Sequence, residues 1–229
     1  MISKQVFNRM VYFYTVPYLV LLTVVLGMMY MYPKIELHLL LNSYHTSFLD
    51  TFFKHYTVLA EWPLYIVALL PLLWKKGKIT LYYAISEVAG GIFVQLLKHL
   101  FSSDRPVSVF ENSHLVLPLV QGVEMHHSNS FPSGHSSTFF MFFTCCAIVL
   151  AYYYSKDNKP HTLRTRILFN ASLLLLLFLA ALGAYSRVYL SQHFLSDICV
   201  GSIIGFTTPF LMFYFCERKL LKSKNKEIK

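Results

Sequence analysis

Residues 132 to 154 read PSGHSSTFFMFFTCCAIVLAYYY, a four-residue polar block set directly against a run without Asp, Glu, Lys or Arg. From His135 to Tyr154 that run is close to the ~20 residues an α-helix needs to cross a bilayer's hydrocarbon. Five more apolar segments lie on either side: Met10 to Tyr32, Val58 to Trp74, Ile79 to Phe101, Ile167 to Tyr185 and His193 to Phe215. The 229-residue chain is 55% hydrophobic and 14% charged, with mean hydropathy +0.50. This is too apolar for a water-soluble domain. The expectation is an all-α, polytopic membrane protein, a single domain over residues 1–229 with six transmembrane helices in a bundle. The second span is the shortest and is interrupted by Pro63 and Pro71. Lys4 and Arg9 precede the first segment as they would a signal peptide, but its apolar stretch exceeds the ~7–15 residues of a signal core, so it is read as a retained anchor.

Two further polar blocks border the apolar runs: Lys98 to Pro106 (KHLFSSDRP) and Ser186 to Asp197 (SRVYLSQHFLSD). Lys98 and Arg105 are seven apart and His193 and Asp197 four apart, so on helices each pair shares a face. In order and spacing the three blocks resemble the signature of the phosphatidic acid phosphatase type 2 superfamily: Lys, six residues, Arg-Pro; then Pro-Ser-Gly-His; then Ser-Arg, five residues, His, three residues, Asp. Every signature position is occupied, and the resemblance spans Lys98 to Asp197, a little under half the chain.

Phosphoryl transfer spreads negative charge over the equatorial oxygens, which calls for several positive groups and backbone donors. Lys98, Arg105 and Arg187 supply the charges, and each arginine offers a planar fork that matches two oxygens at once. Pro132 suits the first turn of a helix, Ser133 brings a hydroxyl, and Gly134 lets the backbone approach closely. Free N–H groups at that helix start would face the anion. His193 is the candidate nucleophile, with Asp197 setting its tautomer, and His135 the candidate acid and then base. The family resemblance implies the same roles. With three cations on the phosphate, no metal and no cofactor are called for.

Lys and Arg cluster before the first span, after the second and fourth, and after the sixth, so six spans put every cluster on one side. The positive-inside rule makes that side cytoplasmic, with residues 217–229 as a basic tail and all three blocks outside. The net charge of +9 thus reflects topology and argues against a nucleic-acid partner. The short loops look bacterial, which places the chain in the cytoplasmic (inner) membrane with its site facing the periplasm or exterior. The expected partners are the bilayer and a membrane lipid phosphate: lipid A, undecaprenyl diphosphate, phosphatidylglycerophosphate or phosphatidate. A phosphotransferase of the same superfamily and a non-catalytic lipid transporter with a vestigial site are the alternatives.

Several further features lie outside the three blocks. Lys34 to Tyr56 is a mixed amphipathic stretch suited to the outer surface. The loop from Ser102 to Phe131 carries His114, His126 and His127, but adjacent side chains point apart and no third metal ligand stands at a recognisable spacing. That loop is expected to rim the site. Glu87 lies inside the third span without an assigned role, eleven residues before Lys98. Gly201 and Gly205 form a G-x-x-x-G suited to intramolecular helix packing. Cys145, Cys146, Cys199 and Cys216 fall within or at the ends of spans and are read as packing residues.

Overall fold

The computed structural model describes residues 2–113, 115–157 and 160–216. Every regular element among them is helical: α1 Lys4–Met31, α2 Lys34–Leu41, α3 Ser47–Val58, α4 Pro63–Trp74, α5 Gly77–Phe101, α6 Pro106–Glu111, α7 Gly134–Lys156, α8 Leu163–Tyr189 and α9 Leu195–Cys216. Five are long and apolar enough to span a bilayer, and α3 with α4 makes a sixth if the bent pair counts as one. The all-helical membrane fold expected from the sequence is therefore present. The expected tail, 217–229, and His114, Asn158 and Lys159 lie outside the described residues.

α7, which opens at the PSGH block, is the hub. It is buried in protein along most of its length, whereas most of α1 is exposed. Around Pro17, α1 widens by one π-type turn at Val11–Thr15. Proline lacks the N–H and its ring would strike the carbonyl four residues back, and the wider turn absorbs both effects.

Glycine sets how closely the neighbours approach α7. A Cβ on Gly205 would be driven into the Ser137 carbonyl oxygen, and one on Gly201 into that of Ser133. The G-x-x-x-G thus serves α9 against α7 within the chain. A Cβ on Gly183 of α8 would enter the Phe139 ring.

Three expectations are corrected. The second span is not one helix from Val58 to Trp74: α3 and α4 meet at 49°. Pro63 can neither donate into the helix before it nor let Trp62 settle in a helical turn, so the chain breaks at residues 59–62 and restarts with Pro63 in the first turn of α4. The amphipathic stretch does not end at Tyr56. Its second helix, α3, runs on to Val58 and forms a bent pair with α4, setting Phe53 edge-on to Tyr185 and stacking Tyr56 on Phe139. Finally, Lys98 and Arg105 do not share a helix, nor do His193 and Asp197. α5 ends at Phe101 and Arg105 is extended ahead of Pro106, as the residue before a proline prefers. His193 precedes α9, which starts at Leu195 rather than at His193.

Arg9, Lys76 and Lys156 lie at the end opposite the PSGH block, where the N-terminal segment is also tied down. Ser3 N donates to Ser155 Oγ at 2.6 Å and Arg9 to Asn170 at 3.2 Å. Lys76 lies over Tyr153 and Lys156 over Tyr152. Replacing Gly205 by Ala should destabilise the protein by about 1–3 kcal/mol through overpacking. Gly27→Ala, where a Cβ meets nothing, should not. Apparent melting temperatures in detergent test the contrast.

Candidate active site

The site forms where three chain segments cross: the start of α7, the loop 190–194 between α8 and α9, and the end of α5 with the residues that follow. Ser133 caps α7, its Oγ accepting from Ser136 N at 3.4 Å, while its own N–H donates to the Asp197 carbonyl at 3.0 Å. That bond ties the PSGH block to the first turn of α9. Gly134 opens the other way: a Cβ there would meet nothing within 4 Å, so its backbone faces open space.

The loop carrying His193 hangs from α8. Gln192 N and His193 N both donate to the Arg187 carbonyl, at 2.9 and 3.1 Å, and Ser191 turns the chain with φ 54°. Behind the ring, Asp197 is buried and saturated. Its Oδ2 accepts from Ser130 Oγ at 2.5 Å and Phe194 N at 3.0 Å and stands 3.5 Å from His193 Nδ1. Its Oδ1 accepts from Ser196 at 3.0 Å. The ring is thus held by Nδ1, which leaves Nε2 as the nitrogen available for attack.

The cations are bound to neutral oxygens, which aim them without cancelling their charge. Lys98 Nζ donates to the Asn129 carbonyl at 2.5 Å, and Arg105 Nε to that of Ser128 at 2.9 Å. Arg105 Nη1 also reaches Gln192 Oε1 at 3.1 Å, and Arg187 Nη2 reaches the same oxygen at 3.4 Å. Arg187 Nη1 donates to Thr57 at 2.7 Å, and its Nε has no hydrogen-bond partner. His135 sits in the first turn of α7, facing Lys98, Arg105, Arg187 and His193. All eight residues singled out from the sequence therefore converge on one site.

Three contributors escaped sequence reading. Ser130 and Gln192 touch their partners only through the fold, across 67 and 87 residues respectively, so no local pattern marks them. Thr57 belongs to a helix taken for a surface element. The long loop supplies backbone carbonyls from residues 128 and 129, and His127 meets Glu111 at 3.4 Å. No group of three potential metal ligands occurs among the described residues. Glu87 Oε1 accepts from Thr138, at 2.8 Å, and Tyr65, at 3.1 Å, so it joins α5 to α7 and α4 one turn below His135.

Residues 79–220 match the PAP2 superfamily. The chain belongs to that family. No curated protein matches it in sequence. Among solved structures, that of Aquifex aeolicus LpxE superposes with a TM-score of 0.57 at 25% identity, covering 79% of this chain and 94% of that one. The first transmembrane PAP2 type phosphatidylglycerolphosphate phosphatase from Bacillus subtilis also gives 0.57, at 20% identity, covering 89% and 96%. As a PAP2 member with these neighbours, the protein is a multi-pass membrane lipid phosphatase, which sets aside the non-catalytic transporter.

Burial pushes the His193 ring below the usual imidazole range, Asp197 pulls it back up, and Arg187 and Arg105 add to the depression. His38, packed between Phe110 and Phe194 with no hydrogen bond at either nitrogen, is lowered to about 4, chiefly by burial. Both rings stay neutral in the fold where the unfolded chain would take up protons. Stability is therefore full above the ordinary histidine pKa of about 6.5 and is lost as pH falls through it, by up to about 1.4 kcal/mol per pH unit per ring. The apparent melting temperature should drop from about pH 7 to about pH 5, and His193→Gln should make the drop shallower. A flat wild-type profile would contradict this.

Proposed function

We propose that the chain hydrolyses the phosphate, or diphosphate, of a membrane lipid at the outer leaflet through a phosphohistidine intermediate. The observation that carries this reading is His193, anchored through Nδ1 beside the saturated Asp197 carboxylate, with Arg187 and Arg105 acting on its ring and Lys98 beside them. In the first step Nε2 of His193 attacks phosphorus in line as the bond to the lipid oxygen breaks. His135 passes its proton to that oxygen, and the lipid alcohol leaves, or the lipid monophosphate where the substrate is a diphosphate. In the second step His135 takes a proton from water, the water oxygen bonds to phosphorus, the P–N bond breaks, and inorganic phosphate departs. Lys98, Arg105, Arg187 and the backbone at Ser133 and Gly134 hold the equatorial oxygens throughout.

The gathering of Arg9, Lys76 and Lys156 at the far end supports a bacterial inner-membrane protein with that end in the cytoplasm and the site outside. Lipid A, undecaprenyl diphosphate, phosphatidylglycerophosphate and phosphatidate are the candidate substrates. Phosphate release from each in detergent, together with lipid mass spectrometry after expression in a bacterial host, separates them.

His193→Ala should lower turnover by about a thousandfold or more. His135→Ala should be severe on alkyl esters and milder on an ester with a good leaving group. Near wild-type turnover by His193→Ala would remove the nucleophile assignment.

Sidedness has its own check. A cysteine at Asn112 should react with an impermeant thiol reagent in intact cells, after outer-membrane permeabilisation in a Gram-negative host. One at Asp157 should not. The opposite pattern would put the chemistry in the cytoplasm.

A further inference from the structure

One ionisable side chain outside the three sequence blocks reaches the ring of His135. Glu61 sits in the break between α3 and α4, and its Oε1 lies 3.6 Å from His135 Nε2. That nitrogen is buried and has no hydrogen-bond partner. The break is an ordered turn: Ala60 N and Glu61 N donate to the carbonyls of Thr57 and Val58 at 3.2 and 3.0 Å, and Leu64 N to that of Leu59 at 3.1 Å. Thr57, one turn before Glu61, is the anchor of Arg187. The same short stretch therefore addresses both the guanidinium and the imidazole.

The surroundings give that contact its meaning. Four positive or titratable groups bear on His135 electrostatically: Arg187 from α8, His193 from the loop, Arg105 from the segment after α5, and Lys98 from α5. Along α7 itself, Thr138 is engaged with Glu87. Asp197 is occupied by Ser130, Phe194 and Ser196. Glu61 is the anionic group placed at the ring, set against three positive ones.

We propose that Glu61 is a positioning residue for His135: its carboxylate accepts from Nε2–H, orients the ring and favours its protonated form when a lipid phosphate fills the site. This rests on the acid–base role given to His135 above. During the first step the imidazolium proton moves to the departing lipid oxygen while the P–N bond forms and the P–O bond breaks. The products are the lipid alcohol, phosphohistidine and neutral His135, and Glu61 keeps its charge and its atoms throughout. A separation just beyond hydrogen-bond reach without substrate is usual for such contacts, which tighten in the complex.

The test compares two long-chain phosphate monoesters, one alkyl and one nitroaryl, in detergent with the full-length protein. A nitrophenolate departs without a proton, so it bypasses the acid. Glu61→Gln should lower kcat on the alkyl ester by about tenfold to a hundredfold, with KM within about threefold and a distinctly smaller loss on the nitroaryl ester, which needs no acid but still needs His135 as base in the second step. The alkaline limb of the alkyl pH profile should move down by about one unit, and Glu61→Asp should restore both. Equal loss on the two esters with an unmoved alkaline limb overturns the proposal. If Glu61→Gln is inactive on both, Glu61→Ala with added formate decides: recovery of alkyl turnover supports the role, and no recovery refutes it. A His135→Ala enzyme that keeps the wild-type alkyl-to-aryl ratio would sink the acid–base reading itself. Dependence on His135 with indifference to Glu61 would sink this inference alone.

Discussion

A single carboxylate oxygen, Asp197 Oδ2, is the point on which the site depends. It accepts from the Ser130 hydroxyl and the Phe194 backbone and stands beside His193 Nδ1, so the long loop, the α8–α9 loop and α9 are clamped together at one atom. The backbone of the same residue accepts from Ser133 N and brings in the start of α7. A buried carboxylate stripped of such donors would be costly to keep charged. Here the donors come from the very segments that must be placed, and the requirement to satisfy the charge becomes the means of assembling the site. Gly201 is the steric counterpart, since any larger residue would push α9 off the Ser133 carbonyl.

Opposed to this carboxylate and that of Glu61 are Lys98, Arg105 and Arg187, held by carbonyl, amide and hydroxyl oxygens that orient without neutralising. The resulting excess of positive charge in a partly buried site is unfavourable in the empty protein and favourable once an anion arrives. The folded state thus carries an electrostatic imbalance that a phosphate relieves.

Much of this was legible in the sequence, for two separate reasons. Apolar run length reports directly on bilayer thickness, so α5, α7 and α9 match the expected spans to within two residues at each end, while α1 starts six residues before Met10 and α8 runs four past each expected end. The three polar blocks are recognisable because each is short and locally spaced. What failed was helical periodicity applied across boundaries. Lys98 with Arg105 and His193 with Asp197 are neighbours through loops, because Pro106 keeps Arg105 extended and the chain between α8 and α9 turns at Ser191. Ser130, Gln192 and Thr57 were invisible because a hydroxyl or amide acquires its role from a partner far away in sequence. The bend at Pro63 was half visible: the proline marked an interruption, but nothing local gave its angle or showed that it would deliver Thr57 to the site.

That bend has a kinetic consequence. Thr57 and Glu61 border the phosphate site, while Trp62 and Ile66, in the same break and the helix after it, are exposed at 61% and 51%. With the site at the outer leaflet, as proposed above, these side chains would border the hydrocarbon, and a substrate could reach the reaction centre by sliding within the leaflet without leaving it. For such an enzyme the governing concentration is two-dimensional. Its rate follows the mole fraction of substrate among its neighbouring lipids, and diluting the membrane with inert lipid slows it even when the amount of substrate per volume of solution is unchanged.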